Sequence, residues 1–228
     1  MKDHEGGSFS YSFDGADLIC ASILRNIVGG TYIDVGANHP INLNNTYYFY
    51  RLGWRGLAID GNDKFTFLWN DCRSEDIFIN TIVSDRPKTV QFNKYSDDTM
   101  STIDPISATR YSQRFADQDV SKEIRNAETL FDLKQKYLQD REVHLLSVDV
   151  EGEDLNCLMG ARLDIWKPGL ILVETKGMSP YNVMDNEIVK FLAGLGYRMI
   201  AKTPLDAVFV YPSKSYLQWI PDSIIKIE

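Results

Sequence analysis

Acidic side chains recur at the ends of apolar runs in this chain. Tyr32-Ile33-Asp34-Val35 leads into Gly36-Ala37-Asn38-His39-Pro40, Leu57-Ala58-Ile59 ends in Asp60 before Gly61-Asn62-Asp63, and Leu145-Leu146-Ser147-Val148 ends in Asp149-Val150-Glu151-Gly152-Glu153. In open α/β sheets ligands bind outside the carboxyl ends of the strands, so these acids are placed to border a crevice. A carboxylate there can accept hydrogen bonds from ligand hydroxyls, take a proton, or ligate a hard cation. Asp149 is the first candidate for a general base. His39 is the second, because an unperturbed imidazole titrates near neutrality. Glu151 is a further catalytic candidate beside Asp149; otherwise it joins Asp149 and Glu174 as an oxygen ligand for a divalent metal, an arrangement not favoured here, or caps the helix that starts near Gly152.

The turn after the first acid narrows the choice of ligand. A pyrophosphate requires a Gly-x-Gly-x-x-Gly turn whose N–H groups close around it, but the positions after Gly36 hold Ala37, Asn38, His39 and Pro40, and proline lacks a donor. An NAD-dependent oxidoreductase or sugar epimerase is therefore disfavoured. Asp60 follows Gly36 by 24 positions, near the roughly 20-residue offset at which a carboxylate meets ribose hydroxyls. A ligand with an adenosine ribose and no phosphates, such as S-adenosylmethionine, suits both features. Asp34, Gly36, Ala37 and Asn38 would meet its amino-acid end, Asp60 and Gly61 its ribose, and Asn80, Ile82 and Val83 its adenine.

These positions need a frame of strands and helices. Apolar spacing predicts a helix from Gly15 to Val28 and an aromatic-faced helix over Asn45–Leu52, with Tyr47 to Tyr50 mostly in the core. Strands are expected at Tyr32–Val35, Gly56–Asp60, Ile77–Asn80, Thr89–Asn93, His144–Val150, Gly169–Glu174, Tyr197–Ala201 and Asp206–Tyr211, with helices around Lys64–Cys72, Thr129–Tyr137, Leu155–Met159 and Asn186–Leu195. Alternation of this kind implies a mostly parallel sheet with helices on both faces, in one domain. The polar stretch 97–127 lacks clear periodicity and reads as a lid or acceptor-binding insertion. Within it Arg110, Tyr111 and Arg114 are candidate acceptor contacts, as are Asn45 and Thr46, which face the crevice ahead of the aromatic run.

Composition excludes several classes. The 228 residues carry 24 Lys and Arg against 32 Asp and Glu, a formal charge of −8, which argues against a nucleic-acid partner. Cys20, Cys72 and Cys157 are scattered and odd in number, so neither a disulfide framework nor a zinc site is expected, and a cytoplasmic setting fits best. The polar first eight residues lack a signal-peptide core, and no apolar run approaches the roughly 18 residues of a membrane span. His4 and His144 belong to no constellation.

The turn Asp34-Val35-Gly36-Ala37-Asn38-His39-Pro40, with Asn45-Thr46-Tyr47-Tyr48-Phe49-Tyr50, Gly53-Trp54-Arg55-Gly56 leading to Ile59-Asp60, Ser147-Val148-Asp149-Val150-Glu151-Gly152 and Val173-Glu174, resembles the FkbM family of S-adenosylmethionine-dependent methyltransferases. The resemblance covers about Tyr11 to Glu174. It implies a Rossmann-like class I methyltransferase sheet of seven strands, the last antiparallel. It also implies O-methylation of a sugar or other small-molecule hydroxyl in polysaccharide or natural-product assembly. The chain departs from similar members at Phe13 and Ala16, where they often carry Gln and Glu. That departure is the one feature that suits a non-catalytic module of the same fold.

Overall fold

The computed structural model describes residues 9–115, 119–179 and 183–221. His4 and the polar stretch 1–8 lie outside them. The strands in chain order are β1 (Thr31–Val35), β2 (Arg55–Asp60), β3 (Ile77–Asn80), β4 (Ile82–Ser84), β5 (Lys88–Tyr95), β6 (Val120–Thr129), β7 (Leu145–Val148), β8 (Leu170–Glu174), β9 (Arg198–Lys202) and β10 (Asp206–Val210). The helices are α1 (Ala16–Ile23), α2 (Tyr47–Arg51), α3 (Thr66–Cys72), α4 (Pro105–Arg114), α5 (Leu130–Tyr137), α6 (Asp154–Gly160) and α7 (Glu187–Gly194).

Seven strands form the main sheet in the order β3-β2-β1-β7-β8-β10-β9. Neighbours from β3 to β8 run parallel, and β10 is antiparallel to both β8 and β9. Strand alternation explains why the central runs are apolar throughout. Ile33, Val35, Leu146, Val148, Ile171, Val173 and Phe209 face one core, shared with Leu130, Leu158 and Leu192 of the helices. Tyr32, Leu145, Leu170, Leu172, Val208 and Val210 face the other, with Ala16, Cys20 and Phe49. A sheet covered on both faces leaves no room for polar alternation. The chain switches sides of the sheet at β1, between β2 and β7, and a crevice opens there at the carboxyl ends of the strands.

The expected strand positions are found within one or two residues, except that the helix expected over Gly15–Val28 ends at Ile23. The stretch 97–127 is built rather than shapeless. It holds a 3-10 turn at Asp98–Met100, then α4, then β6. The ten residues of β6 pair with β5 from Lys88↔Ala127 to Tyr95↔Val120 and with β4, making a small second sheet. Polar residues occupy both faces of β6 and only Ala127 is buried, so no period of two is visible in its sequence. The aromatic helix also differs from expectation: Phe49 is buried, while Tyr47, Tyr48 and Tyr50 are half-exposed.

Candidate active site

A cavity of about 470 Å³ lies at the carboxyl ends of β1, β2, β7 and β8. Its floor is the turn after β1. Gly36 and Ala37 both donate backbone N–H bonds to the Ile59 carbonyl, at 2.9 and 3.1 Å. Gly36 has φ +80°, and a Cβ there would stand 1.7 Å from the Asp149 carbonyl oxygen. The glycine is thus required by the approach of the β7 end.

Asp60 closes the turn. Its two oxygens accept the Asn38 N–H at 2.8 Å and the Asn62 N–H at 2.6 Å. Burial pushes its carboxyl up to about 6, against the pull of those two N–H groups. Apolar Ile59, Phe65, Ile82, Val83 and Phe92 line the wall beyond it. Ile82 and Phe92 come from β4 and β5, so the small second sheet supplies one side of the cavity. Thr99, Ser101, Thr102 and Ile103 continue that side ahead of α4.

The opposite wall is acidic. Asp149 follows β7 with its Oδ1 buried and without a hydrogen-bond partner. Burial first, then the charges of Glu174, Glu151 and Asp154, push its carboxyl well above the ordinary range. Glu174, at the end of β8, is pushed up to about 8 by burial and by Glu151. Lys176 Nζ lies between the acids, 2.5 Å from Glu174 and 2.8 and 2.9 Å from the two Glu151 oxygens. These carboxylates hold its ammonium charged more firmly than usual. Tyr111 of α4 donates its O–H to Glu151.

Glu151 therefore neither caps α6 nor joins a cation cluster. The turn is fixed by Asp154, which accepts the Val150 and Gly152 N–H groups at 3.0 and 3.2 Å. Among the described residues, the acids whose oxygens converge within 4.8 Å are Asp149, Asp154 and Glu174, with Asp154 standing where Glu151 was expected. Lys176 and the two N–H groups already bond two of those three.

Of the residues singled out in the sequence, Gly36, Asn38, His39, Asp60, Gly61, Ile82, Val83, Asp149 and Glu151 line this cavity. The others are used elsewhere. Asp34 shares its strand face with Tyr32 and is buried among Thr46 Oγ1 at 2.7 Å, Asn44 Nδ2 at 3.3 Å and the nearby Arg73. Thr46 is likewise buried there, accepting from Arg73 Nη2 at 3.0 Å. Asn45 donates to Ser147. Ala37 packs with Ala58 and Trp69. Asn80 ties the Asp60 carbonyl to Arg125. Arg110 and Arg114 are exposed on α4, outside the cavity. Lys176 was not signalled, and within the stretch 97–127, expected to be a lid or acceptor-binding insertion, the cavity-lining residues of 98–103 were not singled out. A lysine two residues beyond an apolar strand reads as ordinary surface, and the 98–103 segment has no period.

His39 is oriented as a donor. Its Nδ1 accepts the Ile41 and Asn42 N–H groups, both at 3.0 Å, so in the neutral ring the proton sits on Nε2. Burial lowers its pKa and keeps it neutral.

Several acids around the cavity hold their protons more tightly than they would in an unfolded chain: Asp60, Asp154 and Asp206 titrate at about 6 and Glu174 at about 8. A folded pKa raised above its unfolded value gives stability that is complete below the unfolded pKa and lost as pH rises through the folded one. Thermal midpoints are thus expected to fall between pH 5 and pH 8.5, with Glu174→Gln flattening the upper part of the fall. A melting series across that range checks this.

The sheet order with its antiparallel β10, the crevice beside β1, and a carboxylate at the end of β2 define a Rossmann-like methyltransferase fold. The chain belongs to the methyltransferase FkbM domain family, which it matches over residues 34–199. No individually curated protein matches it. The matched region runs from the β1 acid into β9, so it includes the floor and both walls of the cavity.

The cavity suits the cofactor expected of such a fold. Its volume is that of a small-ligand site. Each Asp60 oxygen uses one lone pair on a backbone N–H and keeps another for a hydroxyl donor. Apolar Ile82, Val83 and Phe92 stand on the adjoining wall.

Proposed function

We propose that the protein transfers a methyl group from S-adenosylmethionine to a hydroxyl of a carbohydrate acceptor. The observation that carries this reading is Asp60, held by two N–H groups on the wall of a cavity whose floor offers no pyrophosphate cradle. Asp60 would hold the ribose hydroxyls, Gly36 and Asn38 the amino-acid end, and Ile82 and Val83 the adenine. S-adenosylmethionine supplies a methyl group on a positively charged sulfur, which departs as a neutral thioether. Asp149, whose Oδ1 has no partner, takes the acceptor proton as the oxygen forms its new bond to carbon. Glu151, Lys176 and Tyr111 brace that acid wall, and His39 donates from Nε2 at the cavity edge.

The free Cys20, Cys72 and Cys157 support a reducing, cytoplasmic setting. None of the helices among the described residues is long and apolar enough to cross a membrane. The acidic balance of the chain supports a small acceptor over a nucleic acid.

Calorimetric titration tests the cofactor. Heat is expected with S-adenosylmethionine and none with NAD. Asp60→Asn should weaken the former about 10- to 100-fold, the range for a lost hydrogen bond to a charged group. An absence of heat with S-adenosylmethionine overturns the reading.

A further inference from the structure

Three apolar side chains from three separate segments line the cavity: Phe13, Leu43 and Leu205. Phe13 is 72% exposed and Leu43 59%, although both line the cavity. A single exposed leucine means little, but a cluster of large apolar side chains at the mouth of a site marks a binding surface. Leu43 also adopts φ +53°, a left-handed backbone that a leucine enters at a cost.

The rim is built. Asn44, next to Leu43, donates its N–H to the Tyr11 carbonyl at 3.0 Å, and Leu205 donates its N–H to Asp14 Oδ2 at 3.2 Å. The segment carrying Phe13 is thereby pinned to the loops carrying the other two. It is fixed in turn by Asp17, which accepts Ser10 Oγ at 2.6 Å, the Tyr11 N–H at 2.7 Å and Ser12 Oγ at 3.0 Å. Behind the rim the walls carry six carboxyl side chains against one lysine, with Asp149 and Glu174 holding their protons more tightly than usual and Asp98 paired with Lys64, which leaves an acidic balance. An anionic acceptor meets repulsion there, while a neutral sugar with an apolar face meets none.

We propose that Phe13, Leu43 and Leu205 are the acceptor-gripping rim, and that they select a neutral glycoside whose C–H face or apolar aglycone packs on Phe13 while its polar edge enters the acidic end. The inference rests on the methyl-transfer reading above. It assigns to the rim the specificity that the exposed Arg110 and Arg114 of α4 do not supply.

The test uses the full chain with S-adenosylmethionine and three probes: methyl glycosides, para-nitrophenyl glycosides and the corresponding uronides. Turnover is followed by thioether release, and cofactor affinity by calorimetry. Para-nitrophenyl glycosides should show the lowest KM, and uronides should react at least about tenfold less efficiently, as expected for one uncompensated like charge near the site. Phe13→Ala should raise the glycoside KM about tenfold with kcat and cofactor Kd little changed, and Phe13→Trp should restore it. An unchanged KM in both Phe13→Ala and Leu43→Ala overturns the proposal, as does a parallel loss of cofactor affinity. Cofactor binding without turnover of any glycoside refutes the acceptor class and leaves the methyltransferase reading standing. Absence of cofactor binding refutes both.

Discussion

Asp149→Asn is expected to lower kcat about 100- to 10,000-fold, the usual contribution of a positioned base, with S-adenosylmethionine affinity essentially retained. The asparagine keeps the shape of the side chain and loses only the ability to take a proton. Three features place the function on this carboxyl rather than on its neighbours. It stands at the mouth of β7, the strand beside β1 in the middle of the sheet. Its Oδ1 is buried and unpartnered, whereas Glu151 is held by Lys176 and Tyr111 and Asp154 by two N–H groups. Its pKa is raised by burial and by crowding with Glu174, which makes it a stronger base than a surface aspartate once it has lost its proton.

The same crowding fixes the direction of the pH profile. Asp149 and Glu174 titrate as a pair, and the reactive form has Asp149 ionised, so kcat/KM should rise with pH through the titration of the pair. Lys176 lowers both carboxyls, so Lys176→Met should move the rising limb to higher pH and Lys176→Arg should leave it near its original place. His39→Ala should alter kcat much less than Asp149→Asn, because the lone pair of Nδ1 is already bonded by two N–H groups. If Asp149→Asn turns over at the wild-type rate, the base lies elsewhere.

The parts of this site legible in the sequence are those in which one residue type has one cause. Runs such as Leu170 to Val173 are apolar at every position because both faces of the sheet are covered, and their strand state follows directly. Asp60 was legible because an acid ending an apolar strand has few structural uses. Asp34 stands one residue before the end of β1, with Val35 after it, and has a different fate. Strand alternation turns it to the face of Tyr32, where Arg73, thirty-nine positions later in the chain, provides the buried charge that accepts it. Asp60 lies on the same side of the sheet but is the last residue of β2, past the covered part of the strand, and so lines the cavity.

The insertion was illegible for a related reason. β6 lies between β4 and β5 yet is solvated on most of its length, so its strand state comes from backbone pairing rather than from its side chains. Lys176 acquires its place only when the ends of β7 and β8 come together. The acid wall is therefore a product of topology: among the described residues the oxygens that converge are those of Asp149, Asp154 and Glu174, and no linear spacing separates Asp154 from Glu151 in that role.

Gly36→Ala is expected to be the most damaging small substitution in the chain. Two penalties coincide there. The residue sits at φ +80°, which costs an alanine about 1–2 kcal/mol. Its new Cβ would also lie 1.7 Å from the Asp149 carbonyl oxygen and 2.7 Å from the Asp149 carbonyl carbon. Both are backbone atoms of the β7 end, so no rotamer change relieves the overlap, and overpacking of this kind adds about 1–3 kcal/mol or more. The sum, about 2–5 kcal/mol, should lower Tm by about 4–20 °C in a chain of this size.

A control separates the two penalties. Gly53 has φ +86°, yet a Cβ there would meet no atom within 4 Å. Gly53→Ala should show the conformational cost alone and leave cofactor binding intact. In Gly36→Ala the strand ends must part, which displaces both Asp149 and the Gly36–Asn38 turn that carries an N–H to Asp60. Cofactor affinity should therefore fall even below its lowered Tm, as measured by calorimetry on the folded fraction. Equal losses of Tm in the two variants would refute the close approach of β1 and β7 as the reason for glycine at this position, and would return Gly36 to the lesser role of a residue that merely permits a turn.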